Sequence, residues 1–331
     1  MTQSRLDVLA IGNAIVDIIA DADDAFLERE GLTKGMMRLI DADEATRLYD
    51  HMGPARELSG GSAGNTAAGV AALGGSAGFV GQVAPDQLGD FYRHDLRATG
   101  VEFDTPARDF GVPTARSMVL VTPDAHRTMN TFLGAAQLLP VEALDEAQIA
   151  DAAILYLEGY LWDPETPRYA MIKAIDVARR AGRKVAFTLS DTFCIDRHRD
   201  GFLGLILGGK IDILFANEAE IQSLAAVAHF DTAVKTFEGK VETLVVTRSE
   251  KGAIAVHQGQ RVAVPAEPVD AVVDTTGAGD LFAAGFLAGV TQGRSLEHCL
   301  RIGAIAAAEV ISHYGARPEA DLKALVAAGL G

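Results

Sequence analysis

The chain has 331 residues, with 29 Lys and Arg against 45 Asp and Glu, a formal charge of −16. Hydrophobic residues make up 49% and charged residues 22%, a composition that excludes disorder and can bury a core without staples. The acidic balance excludes binding along a nucleic-acid backbone, but a small anion held by backbone amides needs no net positive charge.

Taken in chain order, the pattern predicts a strand over 6–11, a small-residue helix over 62–73, a strand over 78–82 and a helix over 88–98. The second half alternates strands at 153–157, 184–189, 211–215 and 243–247 with helices at 167–181, around 202–207 and at 218–227. Helices at 279–290, 296–312 and 318–328 follow. Such alternation predicts an α/β fold of three αβα layers around a mostly parallel central sheet. Two stretches, 15–40 and 116–132, do not fit the layers and read as strands of a small separate β-sheet lid over a cleft. The predicted division is α/β core over 1–14, lid over 15–50, core over 51–108, lid over 109–132, and core with a nucleotide site over 133–331.

Cys194 and Cys299 are two isolated thiols, which give neither a disulfide framework nor a zinc cluster. The first residues contain no apolar signal region, and the apolar run at 281–290 is too short to span a bilayer. The sequence therefore predicts a soluble, cytoplasmic protein with no membrane partner.

Several motifs are decoys. Residues 60–64 and 74–78 both satisfy G-x-S-x-G, yet neither serine follows a hydrophobic strand as a nucleophile elbow requires. Residues 204–210 imitate a P-loop, but Ile211 stands where Ser or Thr would meet magnesium. The informative stretch is Asp274-Thr-Thr-Gly277-Ala278-Gly279-Asp280, ahead of an apolar helix. Small residues let the amides of Gly277, Ala278 and Gly279 converge on one spot, and the helix N-terminus adds positive potential there. Such an anion hole suits a phosphoryl group in transfer, and Asp280 can take a proton from an attacking hydroxyl. A plain N-cap aspartate after a glycine turn is the alternative.

Residues 274–280 resemble the C-terminal signature of the ribokinase-like (PfkB) family of carbohydrate and nucleoside kinases. Residues 60–67 with Leu73-Gly74-Gly75 resemble its N-terminal glycine signature. Asn217-Glu-Ala-Glu220 resembles its N-x-x-E motif, and Thr247-Arg-Ser-Glu-Lys251-Gly252 resembles the turn near the nucleotide phosphates. The resemblance implies ATP-dependent phosphorylation of an alcohol, with Asp280 as base. It implies Asn217 and Glu220 beside Mg2+, through water, and Thr247, Lys251 and Gly252 beside ATP. Asn217 and Glu220 can equally cap a surface helix, and Lys251 can be a solvated turn residue.

The acceptor is read from Gly12-Asn13-Ala-Ile-Val-Asp17-Ile18. Asn13 and Asp17 leave the first strand at its C-terminal edge and can bond vicinal hydroxyls. This spacing resembles adenosine kinases, with G-N-x-x-x-D-I, more than ribokinases. Gly60, Gly61 and Asn65 complete the sugar contacts. Tyr160, Leu161, Trp162 and Phe132 are expected to wall a flat base, unless they are core. Arg127 on the lid return is expected to reach the transferring phosphate. The acceptor expected is a purine ribonucleoside, adenosine first, with a free sugar such as ribose or fructose as runner-up; a non-catalytic nucleoside- or sugar-binding relative is the alternative of a different class, disfavoured because a pure binder needs no base at Asp280. Dependence on a monovalent cation, and monomer against a homodimer joined through the lid, are left open.

Overall fold

The computed structural model describes residues 5–124 and 126–330. Thirteen strands run through these residues: β1 (Leu6–Ile11), β2 (Ile15–Asp21), β3 (Met37–Leu39), β4 (Ala55–Gly60), β5 (Ala77–Val80), β6 (Ala115–Val121), β7 (Arg127–Phe132), β8 (Ala152–Glu158), β9 (Lys184–Thr188), β10 (Ile213–Asn217), β11 (Thr243–Thr247), β12 (Ala253–His257) and β13 (Gln260–Val264). Eight of them form the main sheet, in the order β13-β12-β11-β10-β9-β8-β1-β5. The pairings from β5 to β11 are parallel, and β12 is antiparallel to both its neighbours.

Helices cover both faces, and the pleat divides the core between them. On β1, Val8 and Ala10 join the cluster that includes residues of helices Ser62–Ala72 and Ala278–Thr291. Leu9 and Ile11 join the cluster under helices Glu165–Arg180 and Thr192–Leu207. Strands buried on both faces carry unbroken apolar runs, as β11 does with Leu-Val-Val. No helix among the described residues is long and apolar enough to cross a membrane.

The second sheet has the order β3-β7-β6-β2-β4. One face packs on helices Asp24–Arg29 and Ala42–His51 through Val16, Ile18, Met118 and Leu120. The other face turns toward the C-terminal edge of the main sheet, where Arg127 reaches residues of the core. One predicted boundary needs correction, and one hairpin is added. Residues 55–60, expected in the core, form β4 and pair antiparallel with β2 from Ile15↔Gly60 to Ala20↔Ala55. An edge strand with an exposed start needs no full apolar alternation, so its pattern was weak. The β12–β13 hairpin was not anticipated; it turns at Gln258 and Gly259, both with positive φ (49° and 79°), which suits a tight two-residue hairpin.

Candidate active site

Strands β1, β8, β9, β10 and β11 end together. Leu157 lies opposite Ile11, Thr188 opposite both Glu158 and Phe215, and Thr247 opposite Asn217. The carboxyl edge of an open α/β sheet is where ligands bind. Helix Ala278–Thr291 begins at this edge. Its N-cap, Gly277, is left-handed (φ 76°), and a side chain there would sit 2.6 Å from the Ala316 Cβ. The helix is buried nearly all round and passes close to helix Ser62–Ala72: a Cβ on Gly69 would lie 2.6 Å from that of Ala284. This close passage brings three side chains of one helix onto the first turn of the other. Ser62 Oγ donates to Asp280 Oδ1 at 2.6 Å, Asn65 Nδ2 donates to Oδ2 at 2.9 Å, and Thr66 Oγ1 donates to the Asp280 carbonyl at 3.2 Å. Burial raises the Asp280 carboxyl above its ordinary range, against the pull of those two side-chain donors and of Arg317. A raised carboxylate in a cleft is a stronger base.

Among the described residues, the amides of Gly277, Gly279 and Asp280 have no acceptor within the chain, whereas the Ala278 amide turns back to the Thr275 carbonyl at 3.3 Å. The predicted anion hole therefore loses Ala278 and gains the amide of Asp280. Gly279 faces open space.

The group of residues expected to take the acceptor is built around Glu158, at the tip of β8. Its buried carboxylate accepts from the Asn13 amide (2.7 Å), Asn13 Nδ2 (2.8 Å) and the Ala63 amide (2.7 Å). Asn13 is thereby oriented with its Oδ1 available. Asn65 Oδ1 is buried with no partner. The Asp17 carboxyl is raised to about 6 by burial, offset by the charges of Arg127 and Arg317. It lies against Gly60, where a Cβ would fall 2.2 Å from Oδ2. Gly61 has φ 87°, and its missing Cβ would meet the Asn13 carbonyl at 2.1 Å. Asn13, Asp17, Gly60, Gly61 and Asn65 thus converge beside Asp280.

Arg127 closes the site from the lid. Its Nη1 pairs with Asp274 Oδ2 at 2.9 Å and donates to Thr276 Oγ1, while Nε and Nη2 are buried without partners. Asp274 also accepts from the Thr276 amide at 3.0 Å and the Gly315 amide at 2.9 Å. The lid arginine therefore touches the signature loop itself.

The profile of the pfkB family carbohydrate kinases matches residues 33–322. The chain belongs to that family. It is a phosphotransferase with an alcohol group as acceptor, and the ribokinase-like fold agrees with this. A probable sugar kinase protein from Rhizobium etli CFN 42 is 50% identical, with TM-score 0.93, over 99% of this chain and 100% of that one. Adenosine kinase from Sinorhizobium meliloti is 51% identical, with TM-score 0.92, over 98% of this chain and 99% of that one. A fructokinase from Klebsiella pneumoniae is 31% identical over 258 residues, 73% of this chain and 80% of the relative.

The nucleotide side of this family member is more capped than expected. Asn217 and Glu220 form a reciprocal capping box: Asn217 Oδ1 accepts the Glu220 amide at 2.8 Å, and Glu220 Oε2 accepts the Asn217 amide at 2.9 Å. Asn217 Nδ2 also donates to Glu220 Oε1 at 2.5 Å. Burial lifts Glu220 to about 7. Direct ligation of a metal would break this box. Contact through water would not, since each oxygen keeps a lone pair. No group of three or more metal-ligating side chains occurs among the described residues. Thr247 ends β11 as expected. Lys251 is half exposed, 3.6 Å from Glu218, which Arg248 also pairs at 3.1 Å. Gly252 makes a close approach, but to the chain itself: a Cβ would lie 2.0 Å from the Val264 carbonyl.

The aromatic wall needs correction. Phe132 pairs with Arg116, whose guanidinium bonds Thr46 on helix Ala42–His51, so the pleat turns Phe132 toward the helices and away from Arg127. Leu161 and Trp162 are core. Tyr160 stays at the edge, its hydroxyl donating to the Ser190 carbonyl at 3.3 Å. Sequence reasoning did not single out Ser62, Glu158, Asp274 or Arg317. Ser62 and Asp274 lay inside the motifs without a role of their own, and Glu158 left a signal as the acid that ends the apolar strand β8.

Proposed function

We propose that the chain transfers the γ-phosphoryl group of ATP to the 5′-hydroxyl of a purine ribonucleoside, converting adenosine to AMP. Asp280 takes the hydroxyl proton as the oxygen attacks phosphorus. The bond to the β-phosphate oxygen breaks, ADP leaves, and the amides of Gly277, Gly279 and Asp280 receive the charge that builds on the phosphoryl oxygens. Asp17, Asn13 and Asn65 Oδ1 accept from the ribose hydroxyls. Arg127 turns its unpartnered Nε and Nη2 to the phosphoryl group. Asn217 and Glu220 would stand beside Mg2+ through water, where the ion would neutralise charge on the phosphates, and Thr247, Lys251 and Gly252 would lie along the nucleotide.

The observation that carries adenosine over a free sugar is the lid face. Strand register puts Ile19, Val119 and Met129 in one row on the Arg127 side, and Ile15 beside Asp17. In the next row the Ser117 and Thr131 hydroxyls are tied to each other at 2.8 Å. Apart from Asp17 in that second row and Arg127 at the end of the face, this is an apolar ceiling with its two hydroxyls satisfied, suited to a flat base. The relative from Sinorhizobium meliloti, named adenosine kinase, supports the same reading. A sugar kinase is the second reading, favoured by the relative named probable sugar kinase at nearly equal identity.

The test is ADP release from MgATP with adenosine, inosine, guanosine, ribose and fructose supplied separately. Turnover on adenosine at least tenfold faster than on either sugar is expected. Turnover confined to the sugars would overturn the nucleoside reading and keep the phosphotransfer chemistry.

A further inference from the structure

Residues Ser59 to Gly64 carry Gly60, which makes room for Asp17, and Ser62, which holds Asp280. This short segment is clamped from three sides. Asp95 Oδ2 accepts from the Ser59 amide at 2.8 Å, and Tyr92 donates to the Gly60 carbonyl at 3.1 Å. The third clamp is Arg317. Its Nε donates to the Ser59 carbonyl at 3.1 Å, as does Nη2, which also reaches Ser59 Oγ at 3.1 Å, and Nη1 donates to the Gly64 carbonyl at 2.7 Å. One planar fork thus joins the end of β4 to the first turn of helix Ser62–Ala72. The loop that bears it is itself fixed to the signature: the Gly315 amide bonds Asp274, and Ala316 packs where Gly277 lacks a side chain.

The guanidinium makes no ion pair with a carboxylate among the described residues. All its hydrogen-bond partners are neutral oxygens, so no single carboxylate pairs off its charge, which acts instead on Asp95, Asp17 and Asp280 together. Asp17 and Asp280 both feel it. We propose that Arg317 is a positioning residue for phosphoryl transfer: its fork holds Ser62 onto Asp280, and its unpaired charge favours the ionised form of the base. The proposal rests on the reading of Asp280 as base. Asp280 is faced by Ser62 and Asn65 from one helix, by Tyr156, Glu158 and Tyr160 from the end of β8, by Asp17 from the lid, and by Arg317 from the C-terminal loop. Arg317 is the one cation in that set. Removing it raises the pKa of the base and moves the acidic limb of the rate profile to higher pH.

The experiment compares Arg317→Met and Arg317→Lys with the wild-type protein. Hydrogen exchange at residues 59–64 is read without substrate, so its result stands even if adenosine proves to be the wrong acceptor. The pH profile of kcat is then read on adenosine, or on whichever acceptor the wild-type protein turns over. Arg317→Met is expected to speed exchange at these amides, to lower kcat about 100-fold, and to shift the acidic limb upward by about half a pH unit or more. Arg317→Lys keeps the charge and loses the fork: exchange still rises, kcat falls about tenfold, and the limb stays in place. Equal losses in both variants with an unmoved limb would reduce Arg317 to packing and overturn the proposal, as would wild-type exchange and turnover in Arg317→Met.

Discussion

Asp280, the proposed base, is placed by two helices that nearly touch, and Gly69 is where that contact can be perturbed far from it. Alanine at Gly69 would put a Cβ 2.6 Å from the Ala284 Cβ and 2.8 Å from Leu281 Cδ1. Carbon atoms in contact sit about 3.5–4.0 Å apart, so the helices must part by about 1 Å. The Leu281 end can rotate away, but the Ala284 Cβ is fixed to its backbone. Overpacking of this kind costs about 1–3 kcal/mol, or roughly 1–4 °C in melting temperature for a chain of this length. The same separation draws Asp280 from Ser62 and Asn65, now at 2.6 and 2.9 Å. A 1 Å misplacement of a reacting group costs up to about 100-fold in rate. Gly69→Ala is therefore expected to lower kcat about 10- to 100-fold while the acceptor KM changes less than about threefold. Steady-state kinetics beside thermal unfolding separates the two effects. Adding Ala284→Gly should restore most of kcat. A kcat within twofold of wild type, with only the melting temperature lowered, would refute the idea that helix spacing sets the base.

Arg127→Met removes the lid's contact with Asp274 and Thr276, and should lower kcat about 10- to 100-fold with a smaller rise in acceptor KM; an effect on KM alone would assign Arg127 to ground-state binding. Ser62→Ala should cost about tenfold in kcat by releasing one oxygen of Asp280, and unchanged kinetics would show that Asn65 suffices. Burial lifts Asp17 to about 6 and Glu158 and Glu220 to about 7. The folded chain then binds more protons than the unfolded chain between about pH 4 and 7, so stability contributed by these groups falls as pH rises through that window. The urea midpoint should be lower at pH 7.5 than at pH 5, and Asp17→Asn should flatten the slope; a slope that Asp17→Asn leaves unchanged would contradict the burial of that carboxyl.

Much of this site could be read in the chain because its parts are local. The loop from Asp274 to Asp280 carries its own helix start, so small residues before an acid already describe an anion hole. β1 and β11 were readable to the residue, since strands buried on both faces are plain apolar runs. What could not be read depends on distant partners. Arg317 acts 258 residues away on Ser59, and nothing near it in sequence marks that contact. Phe132 shows the limit of a one-residue register: an aromatic on the lid return suggests a stacking wall, but the pleat turns it to the other face. Asn217 and Glu220 sit one turn apart as expected, and that spacing serves a capping box as readily as a hydrated ion.

Asp280 is proposed as a base in a preformed anion hole, not as a structural cap. Asp280→Asn tests it directly, because asparagine keeps the shape and an acceptor for Ser62 but cannot take the proton. On that reading kcat falls about 10²- to 10⁴-fold while calorimetric affinity for the acceptor stays within about threefold of wild type. Turnover retained within tenfold, or loss of acceptor binding in step with turnover, would contradict it.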